Sequence, residues 1–528
     1  MLKLLDLCIF DNAQLVLGAA ACLGVVGVFF RVFPPQSKSR LPLPPSPPTW
    51  RLLGHVLPPR NSFLTIAGWI NEYGPLITVR SGFEKIVIIG RYKAAMDIME
   101  SQGGTLADRP RKIAAGEIFS GGLGIASTPF GDRFRRMRRA LHTHLQPKAA
   151  EAYQPLQMSH VKNTVLDILD DPYNFQNHVI TYAATTIMKV AYGNNTPFSA
   201  TDPRVIEMHE IMKLVGKILR PDAYYLVESI PWLKHIPWYG RELKQGFERT
   251  KQLHVGQLNR VKEQMSNVEI GPSFMKYMLE NRDVHGLTDP ETAFLAGAFF
   301  GAGSDTIAAG ICIVLLAAVC FPEEQTQVQA ELDAVIGRHR APTFADQQSL
   351  IRLPAFISEA LRWRPVTPNG GYRHHGVALT IYYIHTVGMA HRTTKDVIWE
   401  NYCIPAGTTV FGNHWAICRD PEVFPEPDAF IPERWINDQG RLRDDLTNFV
   451  FGFGRRVCPG QHVATRSVFI NALLILWAFR LTLDPAKPLN DMGFMTGERS
   501  NRPCTIKTET RIPEMELKRM MQNYPEAA

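Results

Sequence analysis

The sequence predicts one large globular unit, built around long buried helices and carried behind an N-terminal membrane-spanning helix. Three observations predict it. Residues 13–30, AQLVLGAAACLGVVGVFF, are almost wholly apolar. Thr292–Val319 and the stretch after Gly460, QHVATRSVFINALLILWAF, are long, largely apolar runs without strand alternation. No linker interrupts the body of the chain.

The N-terminal run is about long enough to cross a bilayer as a helix, which takes roughly 17–25 residues. Arg31, Lys38 and Arg40 follow it, so the positive-inside rule places the bulk of the protein in the cytosol. A cleaved signal peptide is the alternative. Against it, the leader carries Asp6 and Asp11 beside Lys3, and the apolar run exceeds the usual length for such a signal. Residues 1–33 are thus read as an anchor. Pro34 to Trp50, PPQSKSRLPLPPSPPTW, is a hinge: proline fixes φ and removes the amide donor, which favours a stiff extended spacer. Residues 51–528 form the folded domain.

With 45% hydrophobic and 20% charged residues the composition is that of an ordinary globular protein. A net charge of +7 is small for 528 residues, and no long basic tract or zinc-finger spacing points to nucleic acid. The eight cysteines include no CxxC pair; Cys8 and Cys22 lie in the leader, and Cys312 and Cys320 in the apolar helix. That placement suits reduced thiols on the cytosolic side of a membrane, not a disulfide framework.

The strongest local pattern is Phe451-Gly-Phe-Gly454-Arg-Arg456-Val-Cys458-Pro-Gly460. A metal-ligating cysteine needs a tight, sheltered loop, and the glycines permit turns that side chains would block. Those turns can aim amides at the sulfur, and the helix that follows would place its positive end nearby. An inert cysteine in a glycine-rich turn is the bland alternative. Yet the segment resembles the haem-binding FxxGxRxCxG motif of the cytochrome P450 superfamily at every defined position.

The resemblance extends from Pro44 onward and implies a mainly α fold with small β-sheets, preceded here by the single transmembrane helix. It implies haem b, with Cys458 as the iron's axial ligand. Phe451, Gly454 and Gly460 would shape the loop, and Arg456 would reach a haem propionate. Asp132 to His142, DRFRRMRRALH, is similar to the WxxxR helix with Phe134 in place of Trp. It implies that Arg138 pairs with a propionate and that His142 lies at the cofactor, while an indole N–H is lost. His391, in MAHRTTKD, would be a further propionate partner. Glu359-Ala-Leu-Arg362 resembles ExxR, and Pro432-Glu-Arg434-Trp435 looks like the PERF segment. Glu359, Arg362 and Arg434 are thereby given a structural role.

Gly301-Ala-Gly-Ser-Asp305-Thr306 contains poor choices for a buried helix interior, unless the helix opens locally to hold water or oxygen. Asp305 and Thr306 look like the family's acid–alcohol pair, which delivers protons to bound dioxygen. Arg133, Arg135, Arg136 and Arg139 form a basic face of the kind that docks an acidic electron donor.

The family implies monooxygenation of a lipophilic small molecule, with electrons from a separate NADPH–cytochrome P450 reductase and cytochrome b5 as a second donor. The chain itself holds no flavin or Rossmann motif. The expected setting is the endoplasmic reticulum membrane, single-pass, with the domain cytosolic. By resemblance the substrate would meet Leu106–Thr128, Pro221–Pro237, Phe294–Ala302, Val366–Asn369 and Met495–Gly497, including Phe294, Phe299, Tyr224, Tyr225 and Met495. That makes an apolar, aromatic pocket, although the same residues would serve equally as core. The wording of GRYKAAMDIM, LADRPR and HWAICRDPEVFPEPDAF is similar to fungal members linked to secondary metabolism or xenobiotic oxidation. A reductase-independent isomerase or dehydratase, and a non-catalytic haem or ligand-binding protein, are the rival readings.

One segment departs from the pattern. Gly371 to Gly388, GYRHHGVALTIYYIHTVG, interrupts an otherwise family-like RPVTPNG–MAHRTT. It reads as a short in-frame retained intron, the alternative being an extra covered hairpin. Its uncharged, β-prone VALTIYYI run would lower haem occupancy or solubility.

Overall fold

The computed structural model describes residues 39–49, 54–55, 57–58, 61–81, 84–193, 199–219, 225–267, 271–366, 389–447, 449–486, 489 and 505–525. The anchor, the anomalous segment 371–388, Tyr224 and Met495 lie outside the described residues.

The helices that position the site are α1 (Ser62–Tyr73), α2 (Asp132–Leu145), α3 (Gln154–Asp170), α4 (Phe175–Tyr192), α5 (Pro203–Ile218), α6 (Arg241–Asn267), α7 (Asp289–Cys320), α8 (Pro322–Val335), α9 (Arg352–Trp363) and α10 (Gln461–Ala478). The strands are β1 (Leu76–Ser81), β2 (Glu84–Ile89), β3 (His391–Arg392), β4 (Val397–Trp399), β5 (Tyr402–Ile404), β6 (Thr409–Gly412), β7 (Phe479–Leu483) and β8 (Ile506–Thr510). The mainly helical expectation with small sheets holds. A four-stranded sheet runs β1-β2-β6-β3, and β4-β5 and β7-β8 form two-stranded ribbons.

α7 is the axis of the fold. Its start is fixed by a capping box: the Thr288 hydroxyl accepts from Glu291 N–H, and the Glu291 carboxylate accepts from Thr288 N–H at 2.9 Å. Glu291 also takes Arg133 Nε of α2 at 2.7 Å, so α2 and α7 are tied at their N-terminal ends. Beyond the first turn α7 is buried nearly all round, against α4, α6, α9 and α10. It is long and apolar enough to cross a membrane, but that burial makes it a core helix.

The expected local opening at 301–306 is absent, because α7 is continuous α-helix from end to end. Thr306 Oγ1 donates to Ala302 O at 2.7 Å and Ser304 Oγ to Phe300 O at 2.8 Å, so both hydroxyls are satisfied within the helix. The glycines are explained instead by close packing. A Cβ at 297 would collide with the His254 ring of α6. One at 303 would stand 2.9 Å from Ile187 of α4, and one at 301 would stand 3.1 Å from the Met208 sulfur of α5.

The described part of the proline-rich stretch does not act as a free spacer. The carbonyls of Pro42, Pro44, Pro45 and Pro47 accept hydrogen bonds from Cys403 N–H, the Thr78 hydroxyl, Thr78 N–H and His55 respectively, at 2.7–2.9 Å. With no amide hydrogens of their own, prolines still offer carbonyls, and this run lies along β1 and β5 as part of the domain.

Candidate haem-thiolate site

Phe449 and Phe453 sink into a second apolar core with Tyr92, Ile98, Met99, Phe424 and Trp435. Each buried ring stabilises by about 1.5–3 kcal/mol, which pins the loop between them. The loop turns through Gly452 (φ 84°) and Gly454 (φ 50°), both in the left-handed region. Gly454 is wedged: an added Cβ would lie 2.6 Å from Met99 O and 2.9 Å from Gly103 Cα. Its N–H donates to the Glu100 carboxylate at 2.8 Å, and Cys458 N–H donates to Phe451 O at 2.8 Å.

The Cys458 thiol is thus presented just before α10. Burial pushes it above its ordinary pKa, opposed by hydrogen bonds from the Gly460 and Gln461 amides and by the Arg138 guanidinium. The helix-terminus effect foreseen from the sequence is present but weaker than burial. A bound metal cation is the charge that would tip this sulfur to thiolate.

Around the loop lies a concentration of buried positive charge. Arg138 Nη1 donates to Val457 O at 2.9 Å. Arg456 donates to Ala107 O at 2.6 Å and Thr128 O at 2.8 Å. Arg109, which is 7% exposed, donates to the Met389 and Ala390 carbonyls at 2.5 and 2.6 Å, and its Nε has no partner. Burial lowers all three, Arg109 to about 9 and Arg456 to about 10, and they repel one another. Asp108 is the carboxylate that relieves Arg109 and Arg456. His391, on β3, faces Leu106 O at 2.8 Å; burial, then Arg109, push it to about 3. A carbonyl only accepts, so Nδ1 carries the proton and the imidazole is neutral.

One buried guanidinium, Arg109, and two half-buried ones, Arg138 and Arg456, against one carboxylate call for further negative charge. A ligand bearing two carboxylates, as haem b does, fits that deficit, and a sheltered cysteine beside it fits the iron. Arg109 was missed in the sequence. It lies within LADRPR, but no spacing relative to Cys458 marks it.

Phe134 replaces the expected Trp, and its ring lies under the Arg456 guanidinium, 3.6 Å from ring centroid to Cζ. A cation–π contact thus stands where a hydrogen-bond donor was expected. His142 does not join the group. It is exposed one turn beyond Arg138, and among the described residues no hydrogen bond links its ring to the cluster. The basic face is also smaller than read: Arg133 pairs with Glu291 and Arg136 with Asp132, leaving Arg135 and Arg139 exposed.

Behind the loop, Glu359 and Arg362 are 0% and 1% exposed, so the pair is no solvated surface contact. Arg362 grips Glu359 with two bonds of 2.7 and 2.8 Å. It also donates to the carbonyls of Cys418, Pro427 and Ala429. Glu359 further accepts from Arg434 Nε at 3.2 Å, Ile431 N–H at 2.8 Å and Trp435 Nε1 at 2.9 Å. The indole donor is a feature of this chain's Trp at a PERF-like site.

The Cytochrome P450 family model matches residues 44–375 and 379–504. The chain belongs to the cytochrome P450 family. It is 43% identical to cytochrome P450 monooxygenase 113 of Postia placenta over 501 residues, 94% of this chain and 97% of that one. It is 44% identical to monooxygenase 64 of the same fungus over 475 residues, 90% and 92% of the two chains. A cytochrome P450 monooxygenase of Armillaria gallica is 33% identical over 451 residues, 83% of each. The chain is therefore a fungal-type cytochrome P450 monooxygenase, and haem with cysteine-ligated iron is its cofactor.

Along α7 of this P450, Ala302 is exposed and Asp305 and Thr306 are half-buried, on a helix that beyond its first turn is otherwise mostly buried. Phe299 stacks on Phe274 at 4.8 Å within the main core, and Phe294 packs against Phe247 and His254. Both rings pack between helices. Tyr225 is half-buried, packed in an apolar cluster with Ile113, Ile118 and Ile211.

Proposed function

We propose that this P450 inserts one atom of dioxygen into a lipophilic organic substrate, by hydroxylation or epoxidation. Two electrons come from NADPH through a separate reductase, with cytochrome b5 as a second donor. The observation that carries the reading is the Asp305–Thr306 pair on a partly open turn in the middle of α7.

Cys458 would hold the iron, and haem bound through a thiolate supplies the electron push that favours O–O cleavage. Arg109, Arg138 and Arg456 would hold the two carboxylates and orient the ring. His391, whose Nδ1–H is used by Leu106 O, would join them only when a carboxylate at Nε2 brings a second proton onto the ring. Their burial costs the fold stability until those anions arrive, so cofactor binding and folding are linked. Thr306 keeps its hydroxyl proton on Ala302 O, which leaves its oxygen lone pairs as acceptors toward the open side. Asp305, the residue before it, supplies protons to that hydroxyl and nearby water. The apolar side chains around the pocket exclude bulk water and favour a lipophilic guest. Arg135 and Arg139 would meet the acidic face of the reductase.

Residues 1–33 would anchor the protein in the endoplasmic reticulum membrane, with the domain in the cytosol. Gly371–Gly388 would be a retained intron; in the ligand loop Phe451 O receives the Cys458 amide, Gly454 turns the chain and the Gly460 amide faces the sulfur. NADPH consumption with a P450 reductase tests the reaction class. Reductase-dependent oxidation is expected, with Thr306→Ala diverting electrons to peroxide. Conversion of a substrate without any reductase would point to the isomerase class instead.

A further inference from the structure

α5 crosses α7 where Gly301 lets it come close, with the Met208 and Met212 sulfurs over that glycine. Asp305 is one turn beyond Gly301 and so shares its face. Between the methionines along α5 sits His209. Its Nδ1 is 3.4 Å from Asp305 Oδ2, with His209 8% exposed and the Asp305 side chain 20% exposed. Neither ring nitrogen of His209 makes a hydrogen bond in the structure. An imidazole buried in that way is costly unless it is used, and its nearest polar neighbour is the carboxylate that flanks Thr306.

Several other charged groups on the elements packed here pair elsewhere, while Arg260 Nη1 of α6 has no hydrogen-bond partner. On α5, Glu210 pairs with Lys213 at 2.8 Å, and Glu207 with Arg249 of α6 at 2.8 Å. His254 of α6 is held neutral by burial, near pKa 4. On the adjoining segment Ile113–Phe119, Glu117 pairs with Arg111 and Lys234. Among the described residues, Asp305 is the ion-pair partner of His209. On its outer side His209 lies close enough to the partly exposed Glu210 to act on its charge.

We propose that His209 is a positioning residue that holds the Asp305 carboxylate and exchanges protons with it, linking solvent to Thr306. The idea rests on the reading of Asp305 and Thr306 as the proton-delivering pair. In the step, the Nδ1–H bond of the imidazolium breaks as an Oδ2–H bond forms on Asp305. The carboxylic acid then passes that proton toward the Thr306 hydroxyl and pocket water, and the carboxylate returns. The imidazole recovers one proton from solvent, so one proton has moved inward and no electron has been transferred. An imidazole suits the task because one ring nitrogen can give a proton while the other takes one.

The test uses the full-length, haem-loaded protein with a P450 reductase, in wild-type, His209→Gln and Asp305→Asn forms. Two readouts are taken. The first is NADPH oxidation without organic substrate, compared in light and heavy water. His209→Gln should slow it about tenfold, less than the ~10²–10⁴ of a proton-transferring group because water partly substitutes. It should also raise the solvent isotope effect, as Asp305→Asn does. The second is histidine-selective 15N NMR of the reduced carbon monoxide form, where the resonance lost in His209→Gln should shift in Asp305→Asn.

An isotope effect raised by Asp305→Asn but not by His209→Gln would overturn the inference and leave the monooxygenase reading standing. No change from either variant would sink the role of Asp305 itself. An unmoved His209 resonance in Asp305→Asn would also overturn the contact, and if His209→Gln failed to fold, the absence of any histidine resonance shifted by Asp305→Asn would do the same.

Discussion

Trp435→Phe isolates one donor to the buried Glu359 carboxylate while keeping an aromatic ring in place. Glu359 accepts five hydrogen bonds, and the indole supplies one of them at 2.9 Å to Oε2. A hydrogen bond to a charged group contributes about 1.5–3 kcal/mol net. Oε2 keeps its 2.7 Å bond from Arg362 Nε, so it is not orphaned and the low end applies, ~1.5 kcal/mol. The smaller ring leaves a void at a site only 4% exposed, which adds about 1 kcal/mol. Trp435→Phe should therefore cost about 2.5 kcal/mol. Glu359→Gln removes the charge and turns an NH2 group toward N–H donors. It leaves Arg362 buried and uncompensated, for about 3–5 kcal/mol. The assay is urea unfolding of the holoprotein, followed by loss of the ferrous–carbon monoxide spectrum. A Trp435→Phe midpoint equal to wild type, or a loss as large as that of Glu359→Gln, would refute the reasoning.

Gly454→Ala should abolish stable haem binding, because the new Cβ would meet the backbone at Met99 and Gly103 at a φ of +50°. Haem-to-protein ratio after purification reads this, and a normal ratio would refute it. Burial lowers several histidines, furthest His391, to about 3, and His144, His160 and His254, to about 4. A lowered histidine favours its neutral form in the fold. Its contribution is full above the unfolded value near 6.5 and is lost as pH falls toward 4. Replacing fully buried His254 by Leu should flatten the loss of stability between pH 6.5 and 4 by at most about 3 kcal/mol, checked by urea midpoints across that range. Arg135→Glu with Arg139→Glu should raise the KM for reductase several-fold and weaken its dependence on salt, leaving the carbon monoxide spectrum intact.

The parts most legible in the sequence were those where chemistry and spacing coincide within one segment. The Cys458 loop and Glu359–Arg362 fold as read, and α7 is the long apolar helix expected though without the expected opening, since each is set largely by residues close in sequence. Contacts between distant segments were not legible. Arg109 reaches carbonyls 280 residues away, and His209 meets Asp305 only because Gly301 lets α5 approach. The glycines of α7 were taken for a break in the helix, whereas they are sockets for side chains of α4, α5 and α6. Phe134 was taken as a loss of a donor, and its stacking on Arg456 required coordinates to see. His142 shares helical spacing with Arg138, but spacing alone did not bring it to the cluster.

The most direct test is the reduced carbon monoxide difference spectrum of three forms: the chain as written, one lacking Gly371–Gly388, and Cys458→Ser. A thiolate-type band is expected in the shortened form, weaker or absent in the chain as written, and lost in Cys458→Ser. Folded protein that shows no thiolate-type band with or without the segment, or one that keeps the band in Cys458→Ser, would contradict Cys458 as the iron's ligand.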